Sequence, residues 1–169
     1  GAGDKWRMFV DLVQSVWETG EIPRQLRYVI VVLIPKGNSG DYRGIGLMEP
    51  IWKDIEGCIE MRLKELQFHE VLHGGMKGKG TGTAIMELKL AQQLAFLEQT
   101  PLYSIFVDLR KAFDAMDRGR TLEILKDRGV GPKTRRLVRV FWDLAELVCR
   151  AGGSYGRRFR AGRGITQGG

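Results

Sequence analysis

The sequence predicts an α+β fold in which a small antiparallel sheet is packed by several amphipathic helices. Three observations support this prediction. A β-branched run at residues 28–34 is typical of a strand, apolar residues recur at helical spacing in residues 4–19 and 50–68, and glycine-rich turns separate these segments. With 169 residues and 43% hydrophobic content, the chain can bury one sizeable core.

The chain opens with a helix followed by a hairpin. Residues 4–19 place apolar side chains on one helical face, and Gly20 ends that helix. Pro35 closes the strand at residues 28–34, and a polar, glycine-containing turn leads into a second extended piece at residues 42–48. The hairpin is therefore predicted to bring cationic side chains near its bend.

The middle of the chain is predicted to form two helices and a buried strand. Pro50 suits the first position of a helix that runs to about residue 68. The glycine-dense residues 73–82 form a loop, and a helix follows at about residues 83–98. The apolar and β-branched residues 103–107 then predict a strand that ends at a carboxylate, Asp108.

The last third is predicted to form two helices and a second hairpin. The helices are expected at residues 118–128 and 132–144. Two extended pieces at residues 147–150 and 157–161 flank a Gly-Gly-Ser-Tyr-Gly turn.

The charge distribution and the cysteine content indicate which partners and which compartment suit the protein. The formal net charge of +7 includes a block at residues 118–139 with eight Lys or Arg against two acids, and residues 150–169 hold five Arg and no acid. Such blocks suit a phosphate backbone, although a solvated helix face is the plainer interpretation. No apolar run approaches the roughly 20 residues that span a bilayer, so no membrane partner is expected. Cys58 and Cys149 lie far apart in apolar stretches and predict buried free thiols in a reducing, intracellular compartment, with both the nucleus and an organelle left open.

Asp108 is the first candidate for a metal ligand. Ligands of open α/β sheets gather at the carboxyl ends of strands, where a carboxylate stays solvated. In the alternative interpretation, Asp108, Asp114 and Asp117 are turn and cap residues that precede the next helix.

A second metal pattern occurs at His69-Glu70-Val71-Leu72-His73. Two histidines one helical turn apart with an intervening glutamate match the zinc hydrolase motif, which makes a zinc hydrolase a remote alternative. The plainer interpretation is a helix C-terminus at which the helix dipole favours His73.

Three blocks of the sequence occur in an order that points to one family. IPKGNSGDYRGIGLMEPIWKDIEGCIEMRL, VDLRKAFDAMD and GRGITQGG together resemble successive blocks of reverse transcriptases, most closely the group II intron and non-LTR retroelement branch. The resemblance covers about residues 29–169. It implies that residues 4–100 form an N-terminal helix plus polymerase-like fingers and that residues 101–169 form a partial palm. Residues 1–3, Gly-Ala-Gly, are interpreted from their composition as a cloning remnant.

The resemblance also implies roles for individual residues. Asp108 and the backbone carbonyl of Leu109 match the palm positions that hold two Mg²⁺ ions, and Asp108 is the expected catalytic carboxylate. Phe113 matches the aromatic residue that crowds the sugar 2′ position, so that deoxynucleotides are preferred. Lys36 and Arg43 match the pair that grips the incoming triphosphate.

Gln167 matches the residue that contacts the incoming nucleotide. The implied partners are an RNA template, a DNA primer and deoxynucleoside triphosphates, and the implied reaction is RNA-directed DNA synthesis by two-metal nucleotidyl transfer.

The family pattern continues past Gly169 into a Tyr-x-Asp-Asp hairpin and a thumb, and this chain contains no Asp-Asp pair. We therefore expect these residues alone to be inactive, because one carboxylate does not assemble a two-metal site. An unpaired palm edge beside Asp108 is expected to favour self-association. The alternative function is a non-catalytic nucleic-acid-binding module on a polymerase-like fold.

Overall fold

The computed structural model describes residues 2–37, 40–66 and 68–165, and it confirms the predicted α+β class. A short 3-10 helix at Arg24–Arg27 precedes the first strand. The remaining elements are α1 (Ala2–Thr19), β1 (Tyr28–Pro35), β2 (Tyr42–Met48), α2 (Pro50–Leu63), α3 (Thr81–Leu97), α4 (Ala112–Ala115), α5 (Arg118–Asp127), α6 (Pro132–Leu144), β3 (Glu146–Ala151) and β4 (Ser154–Phe159). None of the helices in the described ranges is long and apolar enough to cross a membrane.

The chain divides into two compact units. The first, which we call the sheet unit, comprises residues 1–65 and 111–169, and the second, the α3 unit, comprises residues 66–110. The sheet unit holds the four strands and every described helix except α3. The expected division into fingers and palm near residue 100 stays a prediction.

The four strands form one sheet in the order β2-β1-β3-β4. β1 pairs antiparallel with β2, β3 pairs antiparallel with β4, and β1 pairs parallel with β3. The predicted antiparallel pairing is therefore found within each hairpin, and the sheet as a whole is mixed because its central pair is parallel. A parallel pair needs a long crossover connection, and the helices between β2 and β3 supply one.

The core of the sheet unit lies among its helices. The side chains of Trp52 on α2 and Phe141 on α6 meet edge to face, with ring centroids 4.5 Å apart. Leu137 on α6 is fully buried, and Met48 at the end of β2 packs against the same cluster. The buried cluster consists of Val16, Ile22, Trp52, Ile55, Ile59, Leu122, Leu137, Val138 and Phe141. Cys58 is exposed and Cys149 half-buried, so the two thiols are free as predicted but not buried.

The predicted bounds of α2 are too long at the C-terminal end. The helix ends at Leu63, where the backbone N–H of Lys64 donates to the Glu60 carbonyl, rather than near residue 68. Leu63 is the last α2 residue that packs against the core, so further turns gain no burial. α1, α5, α6, β1 and β2 match their predicted spans to within about two residues.

The predicted strand at residues 103–107 is wrong. This segment has no regular secondary structure, and Tyr103, Ile105 and Phe106 are 87%, 90% and 83% exposed. An apolar, β-branched run becomes a strand only when a neighbouring strand accepts and donates its backbone hydrogen bonds, and no described strand pairs with this segment. The strand edge expected beside Asp108 is therefore not formed in the described residues.

The second hairpin is tighter than predicted. β4 begins at Ser154 rather than at residue 157, so only Gly152 and Gly153 connect the strands, and the Ala151–Ser154 pair flanks them. Both glycines have positive φ, of 56° and 81°. A two-residue turn with two positive φ angles matches the right-handed twist of the strands and strongly favours glycine.

Candidate functional site

Lys36 and Arg43 lie at the turn end of the β1–β2 hairpin. Arg43 pairs with Ile34, and Pro35 pairs with Tyr42 as the last rung of the ladder. The backbone N–H of Lys36 then donates to the Asp41 carbonyl at 2.8 Å, which closes the hairpin. Both side chains are exposed. The hairpin therefore brings together the two cations expected to grip a triphosphate.

Gly44, which follows Arg43, is explained by close packing within this hairpin. A Cβ atom at Gly44 would lie 3.0 Å from Cγ1 of Val31 on the neighbouring strand. A larger residue would therefore require the Val31 side chain to move aside at the position next to Arg43.

A second part of the candidate site is a contact between two distant stretches of the chain, which we call the 113–165 junction. The backbone N–H of Ile165 donates to the Phe113 carbonyl at 2.9 Å, and the N–H of Gly164 donates to the Met116 carbonyl at 2.9 Å. These bonds join the segment that follows Asp108 to the segment that precedes Gln167. Gln167 itself lies outside the described residues.

Glycine is required at position 164 of the junction. Its φ is +74°, and a Cβ atom there would lie 2.6 Å from the Asp114 carbonyl oxygen and 2.7 Å from that of Phe113. A side chain would therefore combine backbone strain with steric overlap. This geometry accounts for the second glycine of the Gly-Arg-Gly-Ile run.

The Arg118 side chain stabilises the 113–165 junction by contacts with Gly164 and Asp143. Its Nε donates to the Gly164 carbonyl at 2.8 Å, and its Nη1 lies 3.7 Å from Oδ1 of Asp143 on α6. Burial lowers the pKa of Arg118, and the nearby Asp143 carboxylate opposes that shift. The guanidinium stays charged, because its ordinary pKa lies far above neutrality.

In the sequence, Arg118 is only one of the eight cations in the basic block at residues 118–139. The side chain is 15% exposed, which sets it apart from the solvated cations of that block. Its partner lies 46 residues away, so no local pattern signals the contact.

Phe113 lies in α4 at the junction and is 49% exposed. Lys111, which precedes this short helix, adopts a left-handed conformation with a φ of 51° that turns the chain into it. The Asp117 side chain accepts from the N–H of Arg120 at 2.9 Å, so the interpretation of Asp117 as a helix cap is confirmed.

Asp108 and Leu109 belong to the α3 unit, and both are exposed. The Asp108 carboxylate and the Leu109 carbonyl are oxygen ligands of the type that Mg²⁺ prefers, so their chemistry fits the expected ion. Within the described ranges, no group of three or more His, Cys, Asp or Glu side chains is placed to hold a metal.

The zinc pattern at residues 69–73 does not lie on a helix. α2 ends at Leu63, so His69 and His73 are not held one helical turn apart, and the helix C-terminus expected around His73 is not formed there. Nδ1 of His73 lies 2.7 Å from Thr83 Oγ1, and its Nε2 lies 3.0 Å from Oε2 of Glu87. His73 therefore ties the glycine-rich loop to α3 through both ring nitrogens. The zinc alternative rests on the sequence pattern alone.

Comparison with known proteins adds no assignment. No protein-family model matches this chain. A search of the curated proteins also finds no match.

Proposed function

We propose that this chain is part of an RNA-directed DNA polymerase that adds deoxynucleotides to a primer by two-metal nucleotidyl transfer. The 113–165 junction is the observation that carries the proposal. In the resembling family, the block around Phe113 and the block around Gln167 serve one nucleotide pocket, and here the backbones of these blocks are hydrogen-bonded as far as Ile165. Two stretches about 50 residues apart meet without any local reason to do so.

Each candidate residue has a distinct chemical task in this proposal. Lys36 and Arg43 would hold the triphosphate, because the lysine ammonium group and the planar arginine guanidinium group both neutralise phosphate oxygens. Phe113 would leave no room for the 2′-hydroxyl group of a ribonucleotide, so that deoxynucleotides are preferred. Asp108 and the Leu109 carbonyl would hold Mg²⁺ together with further carboxylates, and the ions would stabilise the attacking 3′-oxygen and the leaving pyrophosphate.

Primer extension on an RNA template with Mg²⁺ tests the proposal, using a protein in which the chain continues past Gly169. We expect Asp108→Ala to abolish extension, because it removes a metal-binding carboxylate. Asp127→Ala is the matched control: it removes an exposed carboxylate at the end of α5, and activity should persist. Equal extension by the Asp108→Ala protein and its parent would overturn the assignment.

A non-catalytic nucleic-acid-binding module is the second candidate function. The basic blocks at residues 118–139 and 150–169 support it, because such blocks suit a phosphate backbone whether or not the protein is catalytic. In that case neither protein extends a primer, and both bind the template with the same salt dependence.

A further inference from the structure

The outer edge of strand β4 is open in the part of the chain that the structure describes. The strand order β2-β1-β3-β4 places β4 at one end of the sheet, where only β3 pairs with it among the described strands. All six residues of Ser154–Phe159 are exposed, whereas β2 at the opposite end contains the buried Gly46. A sheet edge presents backbone N–H and C=O groups with which a further strand can pair. Of the two edges, that of β4 is therefore the more accessible to a partner strand.

Positive charge accumulates at this edge without a neutralising acid. Arg157 and Arg158 belong to β4, and Arg160 follows directly. The sequence from residue 145 to residue 169 contains one acid, Glu146, and its Oε1 already accepts a hydrogen bond from Nη2 of Arg160 at 3.2 Å. The charges of Arg157 and Arg158 are therefore not balanced by an acid of the same hairpin.

The two arginines of β4 differ in their contacts. The Arg158 guanidinium lies 4.4 Å from the centre of the Tyr28 ring on β1 and donates to the Tyr28 hydroxyl at 2.7 Å. Because β3 lies between β1 and β4, the Arg158 side chain reaches across the sheet, away from the outer edge. No hydrogen bond or ion pair engages the Arg157 guanidinium among the described residues. Arg157 is therefore the cation that a partner strand can contact.

Two features of β4 disfavour pairing with the same strand of a second copy. A bulge places two residues of β4, Gly156 and Arg157, opposite the single residue Cys149 of β3. Bulges and exposed charges are features by which natural edge strands avoid pairing with one another. Two β4 strands side by side would also bring Arg157 and Arg158 of one copy close to the same arginines of the other. This repulsion becomes attraction when the added strand is acidic.

The aromatic residues of β4 indicate what else an added strand would contain. Tyr155 is 60% exposed and Phe159 is 47% exposed. Pairs of an aromatic and a β-branched residue on neighbouring strands stabilise a sheet. A strand in which acidic and β-branched residues alternate therefore matches both the charge and the rings of β4.

We propose that the outer edge of β4 binds an extended acidic peptide, which adds to the sheet as a fifth strand with a carboxylate next to Arg157. Such strand addition takes its affinity from main-chain hydrogen bonds and its specificity from side chains. A nucleic acid can meet the arginines but has no peptide backbone with which to pair the edge. The proposal is independent of the polymerase function, since it needs neither Mg²⁺ nor Asp108.

Fluorescence anisotropy of the 169-residue protein with a labelled peptide of about eight alternating Glu and Thr residues tests this proposal, because six paired residues span roughly 20 Å of strand. We expect a peptide with proline at its two central Thr positions to bind about tenfold more weakly. It has the same charge, but proline lacks the N–H group that a strand ladder requires. A peptide with Lys in place of Glu should not bind.

Variants of the protein test the charge separately. Arg157→Ala should weaken binding of the Glu-Thr peptide about threefold at low salt, and Arg157→Glu should weaken it about tenfold, with both effects smaller at high salt. Arg7→Ala removes an exposed charge on α1 and is the matched control, for which affinity should not change. Arg157 is exposed, so its replacement should not unfold the protein, which circular dichroism checks.

Three outcomes would overturn the proposal. Equal affinity for the proline peptide would mean that charge alone attracts the peptide, and unchanged affinity in Arg157→Glu would place the peptide elsewhere. Displacement of the peptide by a single-stranded oligonucleotide of equal charge at a lower concentration would make the edge a nucleic-acid surface. Asp108→Ala should bind the peptide normally, so that failure of this proposal and failure of primer extension are told apart.

Discussion

The sheet unit and the α3 unit contain similar proportions of apolar residues but bury them to very different extents. In the sheet unit, Leu137, Ile55 and Val16 are at most 1% exposed. In the α3 unit, no described residue is buried, and Leu94 on α3 is 58% exposed. Apolar content by itself therefore does not predict burial.

The difference follows from the number of partner elements in each unit. α6 contacts α1, α2 and α5, so its apolar stripe is covered from several sides. α3 carries exposed apolar side chains on several of its sides, and residues 102–109 add Ile105 and Phe106. Exposed apolar side chains in such number are typical of protein surfaces that contact a partner, and the expected self-association stays a prediction.

The largest expected effect tests this comparison directly. Leu137→Ala should lower the free energy of unfolding by about 2 to 5 kcal/mol, because it leaves a cavity in the core of the sheet unit. Urea unfolding followed by tryptophan fluorescence measures this change, since all four Trp residues lie in the sheet unit.

Leu94→Ala on α3 is the matched control and should change the free energy of unfolding by no more than about 0.5 kcal/mol. Alanine suits a helix, and the replaced side chain is mostly in water. Comparable losses in the two variants would mean that the α3 unit is buried as deeply as the sheet unit, and the contrast would disappear.

A smaller effect is expected at the 113–165 junction. Gly164→Ala should lower the free energy of unfolding by roughly 1 to 3 kcal/mol, because the added Cβ meets two carbonyl oxygens at a positive φ. Gly162→Ala should leave the free energy of unfolding almost unchanged, because a Cβ atom at Gly162 meets no atom within 4 Å. Equal stability of the two variants in urea would show that the junction accommodates the added Cβ atom without loss, which would contradict the steric account.

The smallest effect concerns pH. Burial raises the pKa of Glu56 on α2, and a hydrogen bond from Trp52 Nε1 at 3.2 Å partly opposes that shift. A carboxyl group with a raised folded-state pKa binds its proton more tightly when folded, so the protein loses stability as the pH rises through that pKa.

Glu56→Gln keeps an acceptor for Trp52 and cannot ionise. Its melting temperature should therefore exceed that of the native chain at neutral pH and approach it near pH 4, close to the ordinary glutamate pKa. Glu60→Gln is the control, since Glu60 forms only an exposed ion pair with Lys64 at 2.9 Å. A difference for Glu56→Gln that does not vary with pH would contradict this account.

Much of the candidate site could be placed from sequence where the contacts are local. Lys36 and Arg43 are brought together by a short hairpin, and the strand run and turn residues that form it are adjacent in the chain. The Arg118–Gly164 bond and the pairing of Arg150 with Val32 were not predictable in this way. Each joins residues that only the path of the chain through several helices brings together.

The sequence by itself determined the helices α1, α5 and α6, the β1–β2 hairpin and the basic character of the chain, because periodicity, caps and turn residues act within a few positions. Only the tertiary structure decided that β1 and β3 are parallel, that Arg118 holds Gly164, and that residues 103–107 stay unpaired. A strand needs a neighbouring strand to satisfy its backbone hydrogen bonds, and a half-buried cation such as Arg118 needs a partner, which here lies far away in the sequence. The local pattern of residues predicts neither of these distant partners.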